Sequence, residues 1–249
     1  MPVLTDDQIK RGYFSIAGGF PDLVTQRTLG DESAYVNFAR ELKDYKGQAQ
    51  LCICCTQLDG TAAYDYGLVS AREKKRILDE WIDFLRTKTK AFKALHFNSH
   101  VPQRLLDAAC CQEDLVELRL KWGNYKDLSP LQNLRLLKYL FIGSGAGVLD
   151  ISPICEMKSL VVLYVENFKR IEDYSPLIAL ENLEQLQIGS AILGRIPMQD
   201  LEFLREMPNL RSFATGVTTF RKKYSQTELA DLFASMPKLR RSFVNGKFF

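Results

Sequence analysis

The sequence predicts an α/β solenoid, with a parallel sheet along its concave side and helical caps at both ends. Three observations predict it. A six-residue apolar pattern recurs through the middle of the chain, a second motif recurs at the same period, and helix-opening signatures stand on either side of the repeats.

The first pattern is apolar-x-x-apolar-x-apolar, and it begins at Phe92, Leu115, Leu137, Leu160 and Leu183, with a weaker copy at Leu210. These starts are 23, 22, 23, 23 and 27 residues apart. A residue-by-residue alternation of apolar and other side chains suits a short strand with one buried and one exposed face. The second motif, Asp-x-Ser-Pro, begins at Asp127, Asp150 and Asp173, spaced 23 apart. Proline fixes its own φ and moves the preceding residue away from helix, so each Ser-Pro step turns the chain. Apolar pairs such as Leu131 with Leu134, and Leu177 with Leu180, then close each unit. One such unit cannot bury its apolar edge alone, so neighbours must stack into a continuous core.

These residues resemble the leucine-rich-repeat family, in particular its short internalin-like and phosphatase-regulator-like repeats of 22–23 residues. The resemblance covers residues 92 to 215. It implies a module for scaffolding or regulatory binding, while fold alone does not name a partner. One feature departs from the family, which carries asparagine at the ninth position of each unit. Here that position holds His100, Gly123, Gly145, Phe168 and Ala191, with Asn124 and Asn167 one residue out of step.

The flanks read as caps on one continuous domain spanning 1–249. Residues 1–91 form an N-terminal cap and a longer strand–helix unit, 92–215 the short repeats, and 216–249 a C-terminal cap. Gln48 to Cys55 alternates like a strand. Ser70 with Glu73 reads as a capping box opening a helix to about Thr89, with Ile77, Leu78, Trp81, Ile82 and Leu85 as its apolar stripe. Residues 31–45 read as a further helix over the open end, because an uncovered first strand would expose an unpaired edge. Ser225 with Glu228 opens a second capped helix bearing Leu229, Leu232, Phe233 and Met236, followed by a last strand over Leu239–Val244.

Within each strand the third, fifth and seventh positions point away from the core. At the middle of that face they supply Tyr139, Phe141, Val162 and Tyr164, flanked by Glu117, Arg119 and Lys121, with Trp122 at the rim. Aromatics ringed by charge are what binding hot spots are made of, so these eight residues are the expected partner-binding site. The alternative is that an end cap folds over them or that they pair across strands.

Other classes find weaker support. A formal net charge of +3 over 249 residues gives no reason to expect nucleic acid as the main partner. The basic clusters Arg221–Lys223 and Lys238–Arg241 are the sequence's case for a nucleic-acid-binding solenoid. The six cysteines, with two adjacent pairs at Cys54–Cys55 and Cys110–Cys111, do not look like a disulfide framework, and point to a reducing, cytoplasmic setting. The first residues lack a secretory pattern and no apolar run would span a bilayer, so no membrane is expected. His96 and His100, about 13 Å apart on an extended strand, are too far apart to share a metal. Gly143-Ser-Gly-Ala-Gly147 lacks the lysine of a phosphate loop and falls at a repeat bend. No catalytic residue, cofactor or metal is assigned, and a cysteine-dependent enzyme is the remaining catalytic alternative. The expected partner is a protein or peptide.

Overall fold

The computed structural model describes residues 2–14, 37–58, 69–190 and 194–249. The Leu118, Leu140, Leu163 and Leu186 side chains fall into one stacked column. Strands β1 (Phe38–Ala39), β2 (Gln50–Ile53), β3 (Ala94–Val101), β4 (Glu117–Gly123), β5 (Tyr139–Ile142), β6 (Val162–Glu166) and β7 (Gln185–Gly189) succeed one another in a single sheet. Register places Leu95 beside Leu118, then Leu140, Leu163, Leu186 and Phe213. The column is fully buried in one contiguous core. The expected leucine-rich-repeat solenoid is therefore what the chain forms.

β9 (Ser212–Thr215) and β11 (Arg241–Val244) extend the sheet in parallel, and β12 (Lys247–Phe248) closes it antiparallel, giving ten strands among the described residues. The 27-residue unit differs from the rest. Its extra length forms β8 (Ile196–Met198), which pairs in parallel with β10 (Thr218–Phe220) as a separate two-stranded sheet.

The aspartates of the second motif have a specific task. Asp127, Asp150 and Asp173 each accept, through Oδ1, the N–H of the serine two residues on, all at 2.8 Å. Each is an Asx turn leading into a helical turn: 3₁₀ turns at Ser129–Asn133 and Ser175–Ala179, and a short α4 at Ser152–Cys155. Asp200 does the same for Glu202 at 2.9 Å without any Ser-Pro step.

The absent asparagine ladder is replaced by an interlock of aromatic rings and glycines. Phe168, fully buried, lies over Gly145 of the preceding unit, where a Cβ would sit 2.0 Å from the ring. The Tyr125 hydroxyl donates to the Gly143 carbonyl, satisfying a bend that an asparagine amide would otherwise serve. Asn167, one residue out of step, takes a left-handed bend at φ 62°, as does Ser144 one unit earlier at φ 57°.

At the N-terminal end, α2 (Ala71–Thr87) follows Ser70, whose hydroxyl accepts the Glu73 N–H at 3.1 Å. Ile77, Trp81, Ile82 and Leu85 are buried, and Leu78 packs against the core from its edge. The helix expected over 31–45 does not form across its described part. Residues 37–45 give β1 and a 3₁₀ turn at Leu42–Asp44, while 31–36 lie outside the described residues. The free edge of β2 explains the difference, since its backbone groups are met by a parallel strand and could not be met by a helix. The Trp81 indole N–H, donating to the Arg40 carbonyl at 2.8 Å, locks this cap to α2. α3 (Gln103–Ala109) packs beside α2.

At the other end, α5 (Gln226–Ala234) carries both halves of the Ser225–Glu228 capping box. The sheet then ends in a tight hairpin, with Asn245 and Gly246 both at positive φ.

Candidate functional site on the concave face

Register builds the site. The third-position row runs Glu117, Tyr139, Val162, Gln185, and the fifth-position row runs Arg119, Phe141, Tyr164, Gln187. Tyr139, Phe141, Val162 and Tyr164 are therefore neighbours on two adjacent strands, with their side chains on the face opposite the leucine column. Phe141 and Tyr164 meet edge to face with centroids 4.4 Å apart, and the Arg119 guanidinium lies 5.0 Å above the Phe141 ring.

The chain's own N-terminus lies across this patch. Residues 2–14, a strap containing α1 (Asp6–Arg11), bring Leu4, Ile9, Tyr13 and Phe14 onto Tyr139, Phe141, Val162 and Tyr164. The Tyr13 ring stacks on Tyr139 at 4.2 Å with planes 9° apart, and Phe14 meets Phe141 edge to face at 5.6 Å. Phe141 and Val162 are buried beneath, while Tyr139 and Tyr164 are half-buried.

Polar clasps hold the strap at both ends. Towards its start, the Glu184 carboxylate accepts the Val3 and Leu4 backbone N–H groups, the latter at 3.2 Å. Arg211 Nη1 donates to the Leu4 carbonyl at 2.7 Å and to Glu184 at 2.9 Å, while its Nη2 pairs with Asp6. Further on, Gln185 Oε1 accepts the Tyr13 N–H at 3.2 Å. The Tyr13 hydroxyl donates to Glu117 Oε2 at 2.8 Å, and Glu117 Oε1 is met by His96 Nε2. Burial, and then the Glu117 carboxylate, push the Tyr13 hydroxyl far above its ordinary pKa, so it serves only as a neutral donor. Burial pushes the Tyr164 hydroxyl up to about 12 and raises the Glu166 carboxyl.

Beyond the strap, Lys121 and Trp122 are exposed at the C-terminal ends of the strands, and Trp122 meets His100 edge to face at 4.7 Å. The eight expected residues thus divide. Glu117, Tyr139, Phe141, Val162 and Tyr164 lie under or against the strap, Arg119 lies over the Phe141 ring, and Lys121 with Trp122 form an exposed rim.

Sequence reasoning missed the strap and its clasps, Glu184, Gln185 and Arg211. A local signal was present. Thr5 and Gln8 form a reciprocal capping box at the start of α1. Nothing local shows where that helix docks.

The remaining candidates show no comparable assembly. The two basic clusters are drawn into local contacts: Arg221 pairs with Glu172, Lys222 with Glu202, and Lys238 with Asn209. Burial pushes the Cys55 thiol up to about 12 and Cys155 up to about 11, away from the thiolate that nucleophilic chemistry needs. Among the described residues no three His, Cys, Asp or Glu side chains are grouped to hold a metal ion, and no helix is long and apolar enough to cross a membrane.

No family model and no curated protein matches the chain. Among solved structures it is similar to internalin C2 of Listeria monocytogenes, at 19% identity over 60% of each chain and a TM-score of 0.44. It is also similar to a second Listeria monocytogenes internalin, inlF, at 20% identity, covering 63% of this chain and 54% of that one, with a TM-score of 0.41. A leucine-rich-repeat protein of Leptospira interrogans matches at 15% identity over 63% of this chain and 49% of its own, with a TM-score of 0.40. The matched part thus spans half to three fifths of those proteins. Strand order, register and repeat length within this chain themselves make it a solenoid of leucine-rich repeats.

Proposed function

We propose that the chain is a non-enzymatic protein-interaction module that holds a protein or peptide partner on its concave strand face, for scaffolding or regulation. The observation that carries this reading is the strap itself, a peptide segment seated on that face. The anchors are Tyr139, Phe141, Val162 and Tyr164, large rigid side chains that bury area at low entropic cost. Glu117, Arg119 and Lys121 provide orientation and electrostatic selectivity, and Trp122 extends the surface at the rim. The six thiols, none of them in a disulfide, suit a reducing compartment such as the cytoplasm.

The test is affinity capture with the intact protein beside Tyr164→Ala and Trp122→Ala variants that still unfold in one cooperative thermal transition. The reading expects at least one captured protein to be lost from both variants. Identical captured sets from all three baits would refute it.

A further inference from the structure

The strap carries information about the partner. It is recognised in large part through its backbone: Glu184, Arg211 and Gln185 hold the N–H groups of Val3, Leu4 and Tyr13 and the carbonyl of Leu4. Side chains of a sheet that grip main-chain atoms capture a peptide as a peptide, with pockets adding selectivity. Here the selective contacts are two aliphatic side chains, Leu4 and Ile9, and the adjacent aromatic pair Tyr13–Phe14.

Two carboxylates constrain any occupant further. Glu117 is fully buried and Glu184 nearly so, and each accepts hydrogen bonds from the strap. Buried acceptors stripped of their donors are costly, so whatever replaces the strap must bring donors to the same two places. A bare apolar surface would not serve.

The strap also packs apart from the solenoid core. Its apolar contacts form their own cluster, distinct from the core that holds the leucine column. Lifting it would leave that column closed. A six-residue helix is too short to persist alone, so α1 depends on its seat.

We propose that residues 2–14 are a built-in competitor for the concave site. The true partner is then a protein segment of the same chemistry: a short helix opened by a capped acidic turn, with one aliphatic side chain just before it and one on it, followed by a hydroxyl-bearing aromatic and a second aromatic. This rests on the concave-face reading above and names its ligand class. Binding requires the strap to leave, so the apparent affinity of the site is lowered by the fraction of molecules whose strap is seated.

The experiment uses the full chain and a fluorescent synthetic peptide of residues 1–14. Wild type and a Tyr13→Ala/Phe14→Ala variant are titrated by anisotropy, with Tyr139→Ala added to the variant as a control. The inference expects the double variant to bind the peptide at least about tenfold more tightly than wild type, and Tyr139→Ala to remove that gain. Equal, weak binding by wild type and a folded double variant would overturn it. Should the double variant fail to fold, hydrogen exchange on the wild-type chain decides. Strap amides such as Leu4 and Tyr13 must exchange by an opening that leaves Leu140 and Leu163 protected; common protection of all four would overturn the inference. If the inference falls while a Tyr164-dependent partner is still captured, the proposed function survives; if both fail, the concave-face reading falls with it.

Discussion

The two faces of β5 and β6 come from the same strands and the same period, yet they are packed by different means. On one face Leu140 and Leu163 continue a column that runs from β3 to β9, each leucine held by the unit before and the unit after. On the other face Tyr139, Phe141, Val162 and Tyr164 are covered by a segment more than a hundred residues away in sequence. The repeat specifies the first face completely, because every unit brings its own neighbour. It leaves the second face to be completed by whatever can bring aliphatic and aromatic groups with donors for Glu117 and Glu184. One face is therefore architecture, and the other is the site proposed above, covered here by the strap.

The comparison can be broken by substitution. The largest effect should come from Leu140→Ala, where a fully buried leucine leaves a cavity the stack cannot close. We expect a loss of about 2–5 kcal/mol in urea unfolding. A loss below about 1 kcal/mol would mean the column is not the continuous core described here. Next is Gly145→Ala, which drives a methyl into the Phe168 ring and should cost about 1–3 kcal/mol by overpacking. An unchanged midpoint would remove the ring-and-glycine interlock as the substitute for the asparagine ladder.

On the strap side, Tyr13→Phe keeps the stacking on Tyr139 but deletes the donor to Glu117. It should cost about 1–3 kcal/mol of strap seating, visible as faster exchange of the Leu4 and Tyr13 amides with little change at Leu163. Tyr164→Ala should be milder, about 0.5–1.5 kcal/mol, since the ring is half-buried and its main aromatic partner is Phe141. The smallest effect belongs to the motif aspartates. The hydrogen bonds from Ser152 hold the Asp150 carboxyl below its usual range. A depressed carboxyl contributes stability above its unfolded value and loses it as the pH falls through the folded one. Acid titration of wild type should therefore show a slight loss below the ordinary aspartate range. Asp150→Asn, which keeps an acceptor without a titrating group, should flatten that part of the profile.

What could be read from the sequence follows the same division. The period, the Asp-x-Ser-Pro turns and the Ser70 and Ser225 helix starts are local, because their partners lie within one unit or one helical turn. The residues of the concave patch were legible for the same reason, since alternation alone decides which way Tyr139 and Phe141 point. The strap was not legible, because Tyr13 meets Glu117 and Gln185 across 104 and 172 residues with no periodic pattern linking them. β1 was misread as helix because 37–45 answers to the exposed edge of β2 and not to its own apolar spacing. β8, one half of the β8–β10 sheet, was hidden inside a 27-residue unit that looked only like a lengthened repeat. Asn245–Gly246 was a hairpin signal in plain view, and it marks where the parallel sheet stops.

The claim that these faces are separate units is tested most directly by a pair of double-mutant cycles in chemical denaturation. Tyr13→Ala combined with Tyr139→Ala should show a coupling of about 0.5–1.5 kcal/mol, the worth of a stacked ring pair. Tyr13→Ala combined with Leu163→Ala should be additive to within about 0.5 kcal/mol. Coupling to Leu163 as large as that to Tyr139 would show strap and core to be one packed body, and the concave face would then be interior rather than a binding site.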